Sequence, residues 1–137
     1  MAAEFFALMP PDNSATVAAG TAVAFPENGP TSGTIVRLGS STFELPDIGT
    51  YRVSFSVPVS QPGQLVIDLN AAQLPYTVYG RATGTSPIAG SALVQTTTVD
   101  SVLSVDNPLG ESTALTITPL AGGTDPDVAS LVIEELN

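Results

Sequence analysis

The sequence predicts an all-β domain, a jelly-roll sandwich of about ten short antiparallel strands. Three observations carry that prediction. Apolar residues recur with period two along most of the chain, clusters of Gly, Pro, Asn and Asp interrupt them at short intervals, and no apolar stripe of helical spacing runs for a useful length. The 137 residues are 43% hydrophobic and only 12% charged, about half the ordinary share of charge. Ser, Thr, Gly and Pro fill the difference, which suits β-structure rather than disorder. A chain of this length is expected to form one domain, residues 1–137, around a single core.

Taken in order, the first element is the apolar run Phe5–Met9. It is too short for a secretory leader, and Glu4 stands where such a leader carries a basic residue. Pro10-Pro11 ends it too abruptly for a helix, so it reads as a strand. Further strands are expected at 21–25 (TAVAF), 33–38 (GTIVRL) and 42–45 (TFEL). In TYRVSFSVPVS, residues 50–60, Tyr51, Val53, Phe55, Val57 and Val59 share one face, while Thr50, Arg52, Ser54, Ser56 and Ser60 take the other. Pro58 implies a bulge or a sheet edge near the end of that strand. Strands follow at 64–70, 75–81, 88–97, 99–106, 113–119 and 128–136, separated by the turn signals QPGQ, GTSP, NPLG and GGTDPD. PENGP and LPDIG punctuate the first half in the same way, and LNAAQL (69–74) has room for one helical turn. The core is expected to gather Phe25, Phe43, Tyr51, Val53 and Phe55.

The two ends depart from the alternation. Leu131, Val132 and Ile133 are consecutive, and so are Phe5 and Phe6, with Leu8 close behind. A strand apolar on both faces needs cover on both, and a two-layer sandwich supplies only one. A second copy of the chain is the simplest further cover, which makes Phe5, Phe6, Leu8, Leu131, Val132 and Ile133 interface candidates. Periodicity leaves open whether the odd set (Leu131, Ile133) or the even one (Val132) meets the partner. The plainer reading is that Phe5 and Phe6 fold over the end of the core.

Charge and composition narrow the function classes. Thirteen acids face three arginines (Arg37, Arg52, Arg81), a net charge of −10. Nucleic-acid binding needs clustered cations, and an anionic membrane surface asks for the same; neither partner is expected. No stretch has the length of a membrane span. Cys, His and Trp are absent, which removes disulfides, thiolate or imidazole metal sites and the Ser-His-Asp triad. Paired carboxylates are the remaining acid–base option: Asp125 with Asp127, Asp106 with Glu111, and Glu134 with Glu135. The first two pairs lie in expected turns, where Asp caps backbone groups. The third pair points to opposite faces of a strand. An enzyme is therefore not expected, and neither is a cofactor. Calcium is a minor candidate at DPD (125–127) or DNPLGE (106–111), through Asp125 and Asp127 above all, although neither stretch has the spacing of a dedicated loop. Of the tyrosines, Tyr51 falls on a core face, while Tyr76 and Tyr79 fall on opposite faces and offer at most one exposed ring for a sugar. N-glycosylation sequons are absent; Asn13-Ser14-Ala15 misses by one residue.

One layout is recognisable. VAFPENG, then a gap, then TFELPDIGTYRVSFSV resembles the complement and tumour-necrosis-factor superfamily of trimeric jelly rolls, in Phe25, Asn28, Gly29, Phe43, Pro46, Gly49, Tyr51, Val53 and Phe55. The tail ASLVIEEL looks like that superfamily's closing strand. Within it the chain is most similar to the C-terminal head of the BclA-type collagen-like glycoproteins of the spore exosporium, from about residue 20 to the end, including the strand-turn LVIDLN (65–70). The resemblance implies a tumour-necrosis-factor-like homotrimer, with residues 1–11 as first strand and stalk junction and 12–137 as sandwich body. It implies first and last strands side by side, a collagen-like stalk N-terminal to the head, and a place on the exosporium or a bacterial cell surface. No Gly-X-Y repeat occurs in this sequence. The alternative of another class is a carbohydrate- or host-receptor-binding adhesin head or phage fibre tip.

Overall fold

The structure is a computed structural model that describes residues 1–12, 16–84 and 86–137; the near-sequon Asn13–Ala15 and Thr85 of the GTSP turn lie outside the described residues. Thirteen strands occur among the described residues. They are β1 (Ala2–Met9), β2 (Thr16–Val17), β3 (Glu27–Ser32), β4 (Val36–Arg37), β5 (Phe43–Leu45), β6 (Thr50–Val57) and β7 (Gly63–Leu69). Then come β8 (Ala72–Gln73), a short 3-10 turn (Pro75–Thr77), β9 (Tyr79–Arg81), β10 (Ile88–Gln95), β11 (Ser101–Asp106), β12 (Leu115–Thr116) and β13 (Asp127–Glu135). An inner sheet runs in the order β10-β6-β13-β1-β3, and an outer sheet in the order β4-β5-β11-β7-β8, with β9 also on β7. β12 and β2 form a small pair of their own. Every pairing is antiparallel. The described residues contain no helix long and apolar enough to cross a membrane.

The core fills the space between the sheets, and period-two alternation decides who enters it. Phe25, Phe43, Tyr51, Val53 and Phe55 all lie there, with Phe43 flanked by Phe5 at 4.7 Å and Phe25 at 6.1 Å between ring centroids. β1 lies along β13, Ala2 opposite Glu134 and Met9 opposite Asp127, so the first and last strands are neighbours.

The P-x-x-G-x-Y stretch has a physical cause. The Tyr51 hydroxyl donates to the Asp47 carbonyl at 2.7 Å and accepts from the Asp47 N–H at 3.0 Å. Thr96 Oγ1 accepts from Gly49 N–H and donates to the same Asp47 carbonyl, each at 3.0 Å. A Cβ on Gly49 would overlap the Asn137 carbonyl oxygen. A buried ring thus holds the turn that leads into its own strand, the device of a tyrosine corner. Burial pushes the Tyr51 phenol up to about 12. Tyr51→Phe leaves the Asp47 N–H without its acceptor and should lower stability by about 1–3 kcal/mol in urea unfolding.

Several expectations are corrected. Residues 21–25 form no strand: Ala22 makes one bridge to Asp106, while Val23 and Phe25 plug the core and their N–H groups donate to Val105 and Ser40. PENGP is no simple turn, since Glu27–Ser32 is the edge strand β3. LNAAQL makes no helical turn; Asn70 and Ala71, both at positive φ (51° and 66°), form the tip of the β7–β8 hairpin. The first half of 75–81 is the 3-10 turn rather than strand, held by Thr77 Oγ1, which accepts from Ile67 N–H and donates to the Leu74 carbonyl. Pro58 marks neither a bulge nor an edge: β6 is central, it stops at Val57, and Val59 then bridges to Ile117.

Candidate functional site

The face of the inner sheet turned away from the core is built row by row by the registers of its strands. Leu8 sits beside Val128. Phe6, Ser130, Ser56 and Ala89 make the next row, and Glu4, Val132, Ser54 and Ser91 the one after. Ala2, Glu134, Arg52 and Leu93 close the face. Its middle carries small hydroxyls, with Ser54 and Ser91 hydrogen-bonded at 2.9 Å, and its apolar members Phe6, Leu8, Val128, Val132 and Leu93 are half-buried or exposed. Few of these side chains are long and flexible, so little side-chain entropy opposes covering the face.

The six interface candidates divide by parity. Phe6, Leu8 and Val132 lie on this outward face. Phe5, Leu131 and Ile133 do not: they are 1%, 0% and 0% exposed inside the sandwich, and their place among interface candidates is withdrawn. The reason is register, because strand residues alternate between faces and the odd set of both terminal strands is the set that meets the outer sheet. Phe5 and Phe6 therefore do not fold over the core together; Phe5 enters it and Phe6 faces out.

The calcium candidates separate as well. Asp125 is exposed, whereas both carboxylate oxygens of Asp127 are buried without a hydrogen-bond partner where β13 starts, opposite Met9. No group of three or more His, Cys, Asp or Glu side chains among the described residues is placed to hold a metal ion.

The structure adds a carboxylate pair that local reading of the sequence missed. Asp68 on β7 and Asp106 on β11 share a cleft of about 350 Å³ with Ser104, Thr42, Gly20 and Leu109. Ser104 stands opposite Asp68 in the ladder and donates to Asp106 Oδ1 at 2.7 Å. Burial, then the neighbouring Asp106 charge, raises Asp68 to about 6; burial raises Asp106 too, against the Ser104 hydrogen bond. The folded state thus holds a proton that the unfolded chain releases at lower pH. The stabilisation is complete below the unfolded value near 4 and is lost as pH rises through about 6. Asp68→Asn should flatten this decline, gaining on the parent protein between pH 5 and pH 7.5 in paired urea melts. β7 and β11 carry one acid each, Asp68 and Asp106, and only the β7–β11 register brings them together.

The comparisons with known proteins agree with this architecture. Residues 11–136 match the family of the BclA C-terminal domain. The globular domain of zebrafish complement 1qA protein superposes with a TM-score of 0.64 at 11% identity, over 99% of this chain and 97% of that one. At that identity the likeness shows the fold, a complement-type jelly roll. A search of curated proteins finds no match. With two sandwiched antiparallel sheets, neighbouring terminal strands and a family match over nearly its whole length, the chain belongs to the BclA C-terminal domain family.

Proposed function

We infer that the domain is the non-enzymatic, homotrimeric head of a collagen-like surface filament of the exosporium type, and that it assembles through the outward face of the inner sheet. The observation that carries this reading is that face itself, where Phe6 and Leu8 of β1 and Val128 and Val132 of β13 stand together beside small hydroxyls near the middle of the sheet. Contiguous apolar surface of this kind marks an association site. Both chain ends lie at the same end of the sandwich: the Glu135 N–H donates to the Met1 carbonyl at 2.8 Å and the Leu136 N–H to Thr50. A stalk joined ahead of Met1 would leave from that end, and three heads there would hold three stalk chains at high local concentration. Three copies at −10 each favour a repulsive, soluble surface layer. Sedimentation equilibrium at micromolar concentration should find three times the chain mass; a stable monomer there would remove the reading.

A further inference from the structure

The inner sheet has two edges, β3 and β10. Bare edges are templates for another strand, because their outward N–H and C=O groups lack partners. At β3 the protection is of a familiar kind: the register shifts between Ala3 and Phe5, and the extra residues opposite Glu4 are Gly29 and Pro30. A bulge and a proline both spoil a ladder.

β10 has neither. Its sequence, Ile-Ala-Gly-Ser-Ala-Leu-Val-Gln, contains no charge and no proline. Such an uncharged, apolar strand is the composition that stacks on itself. Two tyrosines close it instead. The carbonyls of Ser91 and Leu93, two residues apart, reach away from β6, and each accepts from a phenol: Tyr79 at 2.6 Å and Tyr76 at 2.7 Å. Both tyrosines come from the outer-sheet segment 75–81, so they cross the open side of the sandwich to reach this edge. The Tyr79 ring is seated edge-on against Phe55, centroids 5.9 Å apart. It also occupies the space above Gly90, where any Cβ would overlap it. Tyr76 is 63% exposed, so most of its ring meets water while its hydroxyl is held on β10.

We propose that Tyr76 and Tyr79 form a clasp that shuts the β10 edge against strand addition by a second copy of this chain. An incoming strand must donate to the outward carbonyls of β10, and two consecutive ones are engaged while ring bulk denies the approach. Association is thereby confined to the face of the sheet. The inference is independent of trimer formation, since growth is read against the parent in whatever state the parent adopts.

The test is the double variant Tyr76→Phe/Tyr79→Phe, which keeps both rings and removes both donors. It should retain far-ultraviolet circular dichroism and cooperative melting, yet accumulate thioflavin-positive assemblies at ~100 µM at least tenfold beyond the parent over several days at a temperature well below its midpoint. Adding Ser91→Pro, on a strand position whose N–H faces away from β6, should suppress these thioflavin-positive assemblies, whatever it does to association through the face. Tyr76→Phe alone, at the exposed position, gives the same reading if the double variant folds poorly. A double variant as monodisperse as the parent overturns the clasp. So do assemblies that form only on melting, or that the proline does not suppress.

Discussion

Replacing Phe43 by alanine is expected to lower the unfolding free energy by about 3–5 kcal/mol. Phe43 has no exposed surface and lies between Phe5, from the inner sheet's first strand, and Phe25, from the segment that crosses to the small β2–β12 pair. Three parts of the chain distant in sequence therefore meet at one ring. Removing it leaves a void that no single backbone shift can close, since each neighbour is fixed by its own hydrogen bonds. Phe25 N–H is held by the Ser40 carbonyl, and Phe5 by the β1–β13 ladder. Such a loss is a large share of the 5–15 kcal/mol that a domain of ordinary stability possesses. Urea melts with an unchanged m-value would register it, and Phe43→Leu should recover more than half of it. A loss below about 1 kcal/mol would mean that the aromatic cluster repacks freely and that the three segments are not held together there.

Much of this fold can be read from the chain because the sandwich buries one face of most strands. In β6 every second residue is apolar, and the alternation names both the strand and its inward side. Legibility fails where burial stops guiding the pattern. β3 has no buried residue; it is a strand only because β1 offers it backbone partners, which no composition of Glu, Asn, Gly, Pro, Thr and Ser reveals. At 21–25 Val23 and Phe25 point into the core, yet their backbone N–H groups bond to two different segments and form no ladder. At the terminal strands both faces are apolar, so parity carries no information about which side is core. Only the β1–β13 and β13–β6 registers resolve it, and they turn Leu131 and Ile133 inward and Val132 outward. The Asp68–Asp106 pair fails for a related reason: its members are 38 residues apart in sequence and become neighbours through register alone.

That resolution yields the sharpest pair of substitutions, made at adjacent residues. Ile133→Asp places a carboxylate in the dry space between the sheets, where it finds no cation and no water. Its expected result is a loss of more than about 4 kcal/mol or outright unfolding. Val132→Asp sets the same group on the outward face, between Glu4 and Ser54, where it stays hydrated in a free protomer. Protomer stability should then change by less than about 1 kcal/mol. In a trimer joined through that face the new carboxylate is desolvated beside Glu4 at every contact, and it replaces an apolar group that had none of this cost. Association should weaken by at least about 2 kcal/mol per contact, roughly thirtyfold in each dissociation constant. Sedimentation across a concentration series, read with urea melts of the same samples, separates the two effects. A Val132→Asp protein that dissociates at the parent's concentration places the interface elsewhere on the head. An Ile133→Asp protein that stays folded would mean that the odd residues of β13 do not line the core.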